Sequence, residues 1–152
     1  MTSPHIQAFF DEPTNTASYV VSDPETRACA IIDSVLDFDA AAGRTSTISA
    51  DQIIAHVQDN SLTCEWLLET HVHADHLSAA PYIQQHLGGK LAIGKAITQI
   101  QDVFGKIFNA GTEFERDGSQ FDRLLQDQDE FAIGALSVNA LAPMAISATR
   151  VG

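Results

Sequence analysis

The run Leu62 to Thr70, with Trp66-Leu67-Leu68 at its centre, constrains this chain most. A helical pattern precedes it and another follows it. A short apolar run in that setting reads as a parallel strand buried on both faces. Ser49 stands three residues before Gln52, a capping-box spacing that predicts a helix to about Asp59, with Ile53, Ile54 and Val57 on its apolar stripe. A second helix is expected from about Asp75 to Leu87, with Pro81 near its first turn and Gly88-Gly89 stopping it.

The rest of the chain supplies the layers around that strand. Ile6–Phe10, Ala17–Ser22 and Ala28–Asp33 read as three antiparallel strands separated by turn residues at 11–15 and 23–26. Asp37 to Thr47 reads as a polar connection. Lys90–Ile93 reads as a short strand, and Ala96–Phe108 as an amphipathic helix carrying Ile97, Ile100, Val103, Phe104 and Ile107. Residues 109–129 are polar and acidic. Phe131–Ile133 and Leu136–Leu141 form a last strand pair around Gly134. An antiparallel start followed by strand–helix–strand–helix order predicts a layered α/β (α+β) fold.

The buried strand runs into His71-Val72-His73-Ala74-Asp75-His76, which holds three of the six histidines. In a continuing strand His71 and His73 point to one face, because side chains repeat every second residue. Two imidazoles so placed reach one ion at about 2.0–2.1 Å each. Asp75 and His76 follow at the turn and face a second position nearby. The carboxyl end of a parallel strand is where open α/β sheets place their ligands. A surface histidine cluster is the plain alternative, but three His and one Asp at this spacing behind an apolar strand point to a metal.

HVHADH matches the HxHxDH motif of the metallo-β-lactamase superfamily, and the chain resembles that family from its opening strands to about Leu141. The resemblance implies an αβ/βα sandwich with a metal site between its halves. Asp37-Phe38-Asp39, Gly43-Arg44-Thr45-Ser46, Glu69-Thr70 and Phe104-Gly105-Lys106-Ile107-Phe108-Asn109 look like a narrower branch. That branch is the persulfide dioxygenase (sulfur dioxygenase, ETHE-type) group with its bacterial β-lactamase hydrolase-like relatives. In the zinc hydrolases of the family, such as glyoxalase II, the positions of His71 and His73 bind one zinc. Those of Asp75 and His76 bind a second, and a bridging water of lowered pKa attacks a thioester or lactam carbonyl. Asp75 is therefore both a metal ligand and the catalytic candidate. In the dioxygenases one Fe(II) is held by the position of His71 with a later histidine and a later aspartate, leaving sites open for dioxygen and a persulfide such as glutathione persulfide. His73, Asp75 and His76 then orient the site from outside the ligand set.

The family pattern places its next ligands after the strand at Leu136–Leu141, yet no histidine follows His86 and no Asp or Glu follows Glu130. Residues 1–141 therefore read as the first half of the fold and 142–152 as a divergent tail. The metal site is expected to be incomplete, the chain impaired or a non-catalytic fragment, and a sheet face left bare and prone to self-association.

Other signals exclude more than they assign. Eight Lys plus Arg against twenty Asp plus Glu give a net charge of −12, which argues against nucleic acid and anionic membranes. No apolar run approaches the roughly 20 residues that span a bilayer. Met1 to His5 carries no basic-then-apolar leader, so a cytoplasmic protein is expected. Gly89 to Ala96 nearly spells a phosphate loop, but its interior is an apolar strand and Ala96 replaces the required hydroxyl. Cys29 and Cys64 read as reduced core thiols. Asp33 reads as a turn residue or a support for the site, and Arg44 as a surface residue or a contact for an anionic substrate. His5, His56 and His86 have no partners at metal spacing, and Glu113 to Glu130 reads as a solvated loop.

Overall fold

The computed structural model describes residues 3–12, 16–39, 43–69, 77–94, 123–126, 128–141 and 145–150. The expected helix at 96–108 and most of the acidic stretch lie outside them. The chain opens with an antiparallel meander of β1 (His5–Asp11), β2 (Thr16–Ser22) and β3 (Ala28–Ile32). β4 (Val35–Asp39) and β5 (Arg44–Ser46) follow, then α1 (Ile48–Asp59), β6 (Thr63–Glu69), β7 (Leu77–Ser78), α2 (Ala80–Leu87) and β8 (Lys90–Gly94). β9 (Arg123–Leu125), β10 (Glu130–Ile133), β11 (Leu136–Leu141) and β12 (Ala145–Arg150) complete the described elements.

The main sheet has the order β1-β2-β3-β6-β8-β9, antiparallel across β1–β3 and parallel from β3 to β9. α1 and α2 both pack on one face of it. Ala50, Ile53, Ile54 and Val57 of α1 and Ala80 and Ile83 of α2 are buried there with Val20, Cys29, Ile31 and Leu67. The other face is covered by β10 and β11, whose Phe131, Ile133, Leu136 and Val138 pack against Ala28, Ala30, Trp66 and Leu68. Helices, sheet and second sheet thus form three layers, the α/β layering expected from element order. The run Leu62–Thr70 is indeed a central parallel strand, apolar because both its faces are dry.

A bulge in β6 makes this two-sided burial possible. Cys29 is in register with Cys64, but Ala30 pairs with Trp66, so Glu65 is the extra residue. The alternation of β6 flips there: Cys64 and Leu67 face the helices, whereas Trp66 and Leu68 face the second sheet. Trp66 Nε1 then donates to the Ala132 carbonyl at 2.8 Å, and its ring lies 4.9 Å from that of Phe131. Glu65 Oε1 accepts from the Gly134 amide at 2.6 Å, so the bulged residues tie the two sheets together.

Several expectations are corrected. Ser49 and Gln52 form no capping box: α1 begins at Ile48, and the Ser49 amide and hydroxyl both donate to the Asp37 carboxylate, at 2.7 and 2.6 Å. A distant carboxylate satisfies the first-turn donors and meets the positive helix end, which the local spacing could not reveal. Asp37 to Thr47 is no plain loop, because β4 and β5 pair from Asp37↔Ser46 to Asp39↔Arg44. α2 starts only at Ala80, with Pro81 in its first turn, since Leu77 and Ser78 pair with Leu36 and Val35 of β4. Ala145–Arg150, within the divergent tail, is a strand antiparallel to β11. Among the described residues, large apolar side chains are exposed at Ile6 and Phe10 of β1, Tyr19 of β2 and Ile48 of α1.

Candidate metal centre

His71, His73, Asp75 and His76 lie outside the described residues, so their site is built from what brackets it. β6 ends at Glu69, and the chain is described again from Leu77, already paired with Leu36 of β4. The described chain therefore stops at the carboxyl end of a central parallel strand and resumes beside the residues that follow β3. Ala79, which caps α2, donates its amide to the Ser34 carbonyl at 3.3 Å, holding that return against the β3–β4 connection.

Two buried carboxylates stand at this end of the sheet. Glu69 is the last residue of β6 and Asp33 the first after β3, next to each other by strand register. The Asp33 amide donates to the Leu68 carbonyl at 2.9 Å, and the Ser18 hydroxyl donates to the Asp33 carbonyl at 2.7 Å. Asp33 adopts a left-handed φ of 55°, a conformation that Asp tolerates better than most residues. It is thus a turn residue, with its carboxylate buried at the same sheet end as Glu69. Glu69, which the sequence singled out only as part of the branch resemblance, is a further candidate at this end of the sheet. Its signal was a charged residue closing an apolar strand, since an acid in a dry sheet needs a partner.

The donor set suits a divalent cation. Two imidazoles and an imidazole–carboxylate pair follow a strand whose end already carries two buried acids, and such a field favours positive charge. Among the described residues no group of three or more His, Cys, Asp or Glu is placed to hold a metal. The other histidines have different surroundings. His56 meets Phe9 edge-on at 5.6 Å, and His86 packs on Tyr82 at 4.4 Å with Nδ1 2.9 Å from the Tyr82 carbonyl. Arg44 is exposed on β5. The near-phosphate-loop is strand β8, as its apolar interior implied. Among the described residues no helix is long and apolar enough to cross a membrane.

A layered sheet with an HxHxDH segment at the carboxyl end of its central strand defines a metal-dependent α/β class. The chain belongs to the metallo-beta-lactamase superfamily, whose family model matches residues 11–141. It is 58% identical over 136 residues to a probable metallo-hydrolase of Burkholderia pseudomallei, covering 90% of this chain and 46% of that protein. It is 49% identical over 138 residues to a beta-lactamase hydrolase-like protein of Agrobacterium fabrum, covering 91% of this chain and 32% of that one. The chain therefore spans less than half the length of these curated relatives. Its fold is similar to that of ETHE1 from Myxococcus xanthus, with a TM-score of 0.66 and 21% identity over 95% of this chain and 53% of that one.

Proposed function

We propose that this chain carries the first part of a metal centre of the persulfide dioxygenase type, which oxidises glutathione persulfide to sulfite in sulfide detoxification. The observation that carries the reading is the His71-Val72-His73-Ala74-Asp75-His76 segment directly behind a buried parallel strand. His71 is the ligand to Fe(II), and His73, Asp75 and His76 hold its surroundings. When bound, the iron supplies the redox chemistry and open positions for dioxygen and sulfur. Asp33 and Glu69 keep the strand ends acidic, which raises the affinity for a cation there. The branch residue Asp37 has a structural task that supports this local architecture, because it pins the start of α1 to β4.

No His follows His86 and no Asp or Glu follows Glu130, so within these 152 residues the iron lacks the further ligands the resemblance calls for. Residues 1–141 are the catalytic-fold unit and 142–152 its divergent extension. A cytoplasmic location fits two free, buried cysteines.

A second reading is favoured by the Burkholderia relative, described as a probable metallo-hydrolase. It takes His71 and His73 to one zinc and Asp75 and His76 to another, with Asp75 the catalytic residue for a thioester or lactam. Anaerobic titration of the 152-residue chain with Fe(II), and separately with Zn(II), decides between them. Binding of one Fe(II), abolished in His71→Ala, is expected. Two Zn(II) per chain together with thioester hydrolysis would establish the hydrolase instead.

A further inference from the structure

Both cysteines of the chain come together on the helix-facing side of the main sheet. Cys29 of β3 and Cys64 of β6 are register partners on adjacent parallel strands and share one buried cluster with Ile31, Leu67 and Ile83. Neighbouring strands run about 4.8 Å apart, inside the Cα separation of about 4.4–6.8 Å that a disulfide bridges. The two residues sit at the amino ends of β3 and β6, the opposite ends from Asp33 and Glu69, so the metal reading does not absorb them.

We propose that Cys29 and Cys64 are an oxidisable pair, closed to an intrachain disulfide by a small peroxide, with Cys64 attacking and Cys29 resolving. Three observations set the roles. Cys29 is wholly buried, whereas Cys64 retains 6% exposure. Gly89 stands over Cys64 in the Gly88-Gly89 connection between α2 and β8: a Cβ there would lie 3.2 Å from both the Cys64 sulfur and its carbonyl oxygen. A hydrogen in place of a side chain thus lines the approach, at a surface turn. The Cys64 thiol donates to the Trp66 carbonyl at 3.5 Å; interaction with Cys29 holds it below the usual thiol range, while interaction with Cys64 and burial push Cys29 far above that range. Exposure and the Gly89 approach thus both single out Cys64 as the thiol a peroxide reaches first.

The chemistry balances within the pair and the peroxide. The Cys64 sulfur attacks one peroxide oxygen and the O–O bond breaks. The released hydroxide takes up the thiol proton and leaves as water, so Cys64 is a sulfenic acid. The Cys29 sulfur then attacks the Cys64 sulfur. The S–S bond forms, the S–O bond breaks, and the Cys29 proton leaves with that oxygen as a second water. Two thiols give up two electrons and the peroxide accepts them. Thiol–disulfide exchange with a reductant reopens such a bridge, so the oxidation is reversible.

The test uses the reduced 152-residue chain with hydrogen peroxide, followed by thiol blocking in denaturant and peptide mass analysis. A Cys29–Cys64 peptide that has lost two hydrogens and is reopened by dithiothreitol is expected. In Cys29→Ser a sulfenic acid should accumulate at Cys64 and be trapped by dimedone. In Cys64→Ser the oxidation rate of the remaining thiol should fall about tenfold or more. Thiols that stay reduced in the folded chain under excess peroxide, cross-links formed only between chains, or a Cys64→Ser variant that oxidises Cys29 at the wild-type rate would each overturn the proposal.

Discussion

Asp23 joins parts of the chain that are 112 residues apart, and its removal offers a quantitative test of how the two sheets are held. Its side chain is fully buried at the β2–β3 turn. Oδ1 accepts from the Glu25 amide at 3.0 Å, and Oδ2 from the Thr26 hydroxyl at 2.9 Å and the Ala135 amide at 2.9 Å. The last bond crosses from the meander to the β10–β11 turn. A hydrogen bond to a charged group contributes roughly 1.5–3 kcal/mol, and a donor left dry costs about 1–3 kcal/mol. Three such bonds would exceed 4 kcal/mol if they added, but two effects reduce the sum. Glu25, Thr26 and Ala135 are exposed residues, so their donors regain water. Removing the carboxylate also relieves its own desolvation. Asp23→Ala should therefore cost about 2–3 kcal/mol, and Asp23→Asn, which keeps the shape but replaces one acceptor oxygen with a donor, about 1–2 kcal/mol. Urea denaturation read by tryptophan fluorescence measures this directly, since Trp66 lies against Phe131 at the same interface. A shift below about 0.5 kcal/mol for Asp23→Ala would refute the argument that this carboxylate fastens the second sheet.

Two further outcomes follow from the same interface and from its opposite edge. Gly134 has φ +57°, and a Cβ there would overlap the Thr26 hydroxyl and lie 3.0 Å from Asp23 Oδ2, so Gly134→Ala should destabilise by about 2–4 kcal/mol in a thermal melt. Phe10, 65% exposed on β1, should tolerate Phe10→Ser within about 0.5 kcal/mol, and any concentration-dependent association seen by sedimentation should weaken, because Ile6, Phe10 and Tyr19 form the apolar strip that a second copy would bury.

Legibility in the sequence followed the range of the interaction. Strands β1, β2, β3, β6, β8, β10 and β11 came through because burial on one or two faces leaves a period of two or an unbroken apolar run. α1 came through because Ile53, Ile54 and Val57 repeat at helical spacing. β4, β5 and β12 did not, since short or polar strands owe their form to a partner chain segment and carry no periodic signal. The capping of α1 failed for a related reason: Asp37, twelve residues upstream, competes better for the first-turn donors than the nearby Gln52 does.

The sequence by itself determined that this is a layered α/β domain of a metal-binding family, because the ligand types and their spacing lie within six consecutive residues and the strand that delivers them is unmistakably apolar. Tertiary structure alone decided how the layers meet. The extra residue Glu65 turns Trp66 toward the second sheet, Asp23 reaches the Ala135 amide, and Cys29 comes beside Cys64. Those contacts join residues far apart in the chain, and no local pattern encodes a distance that only the fold closes.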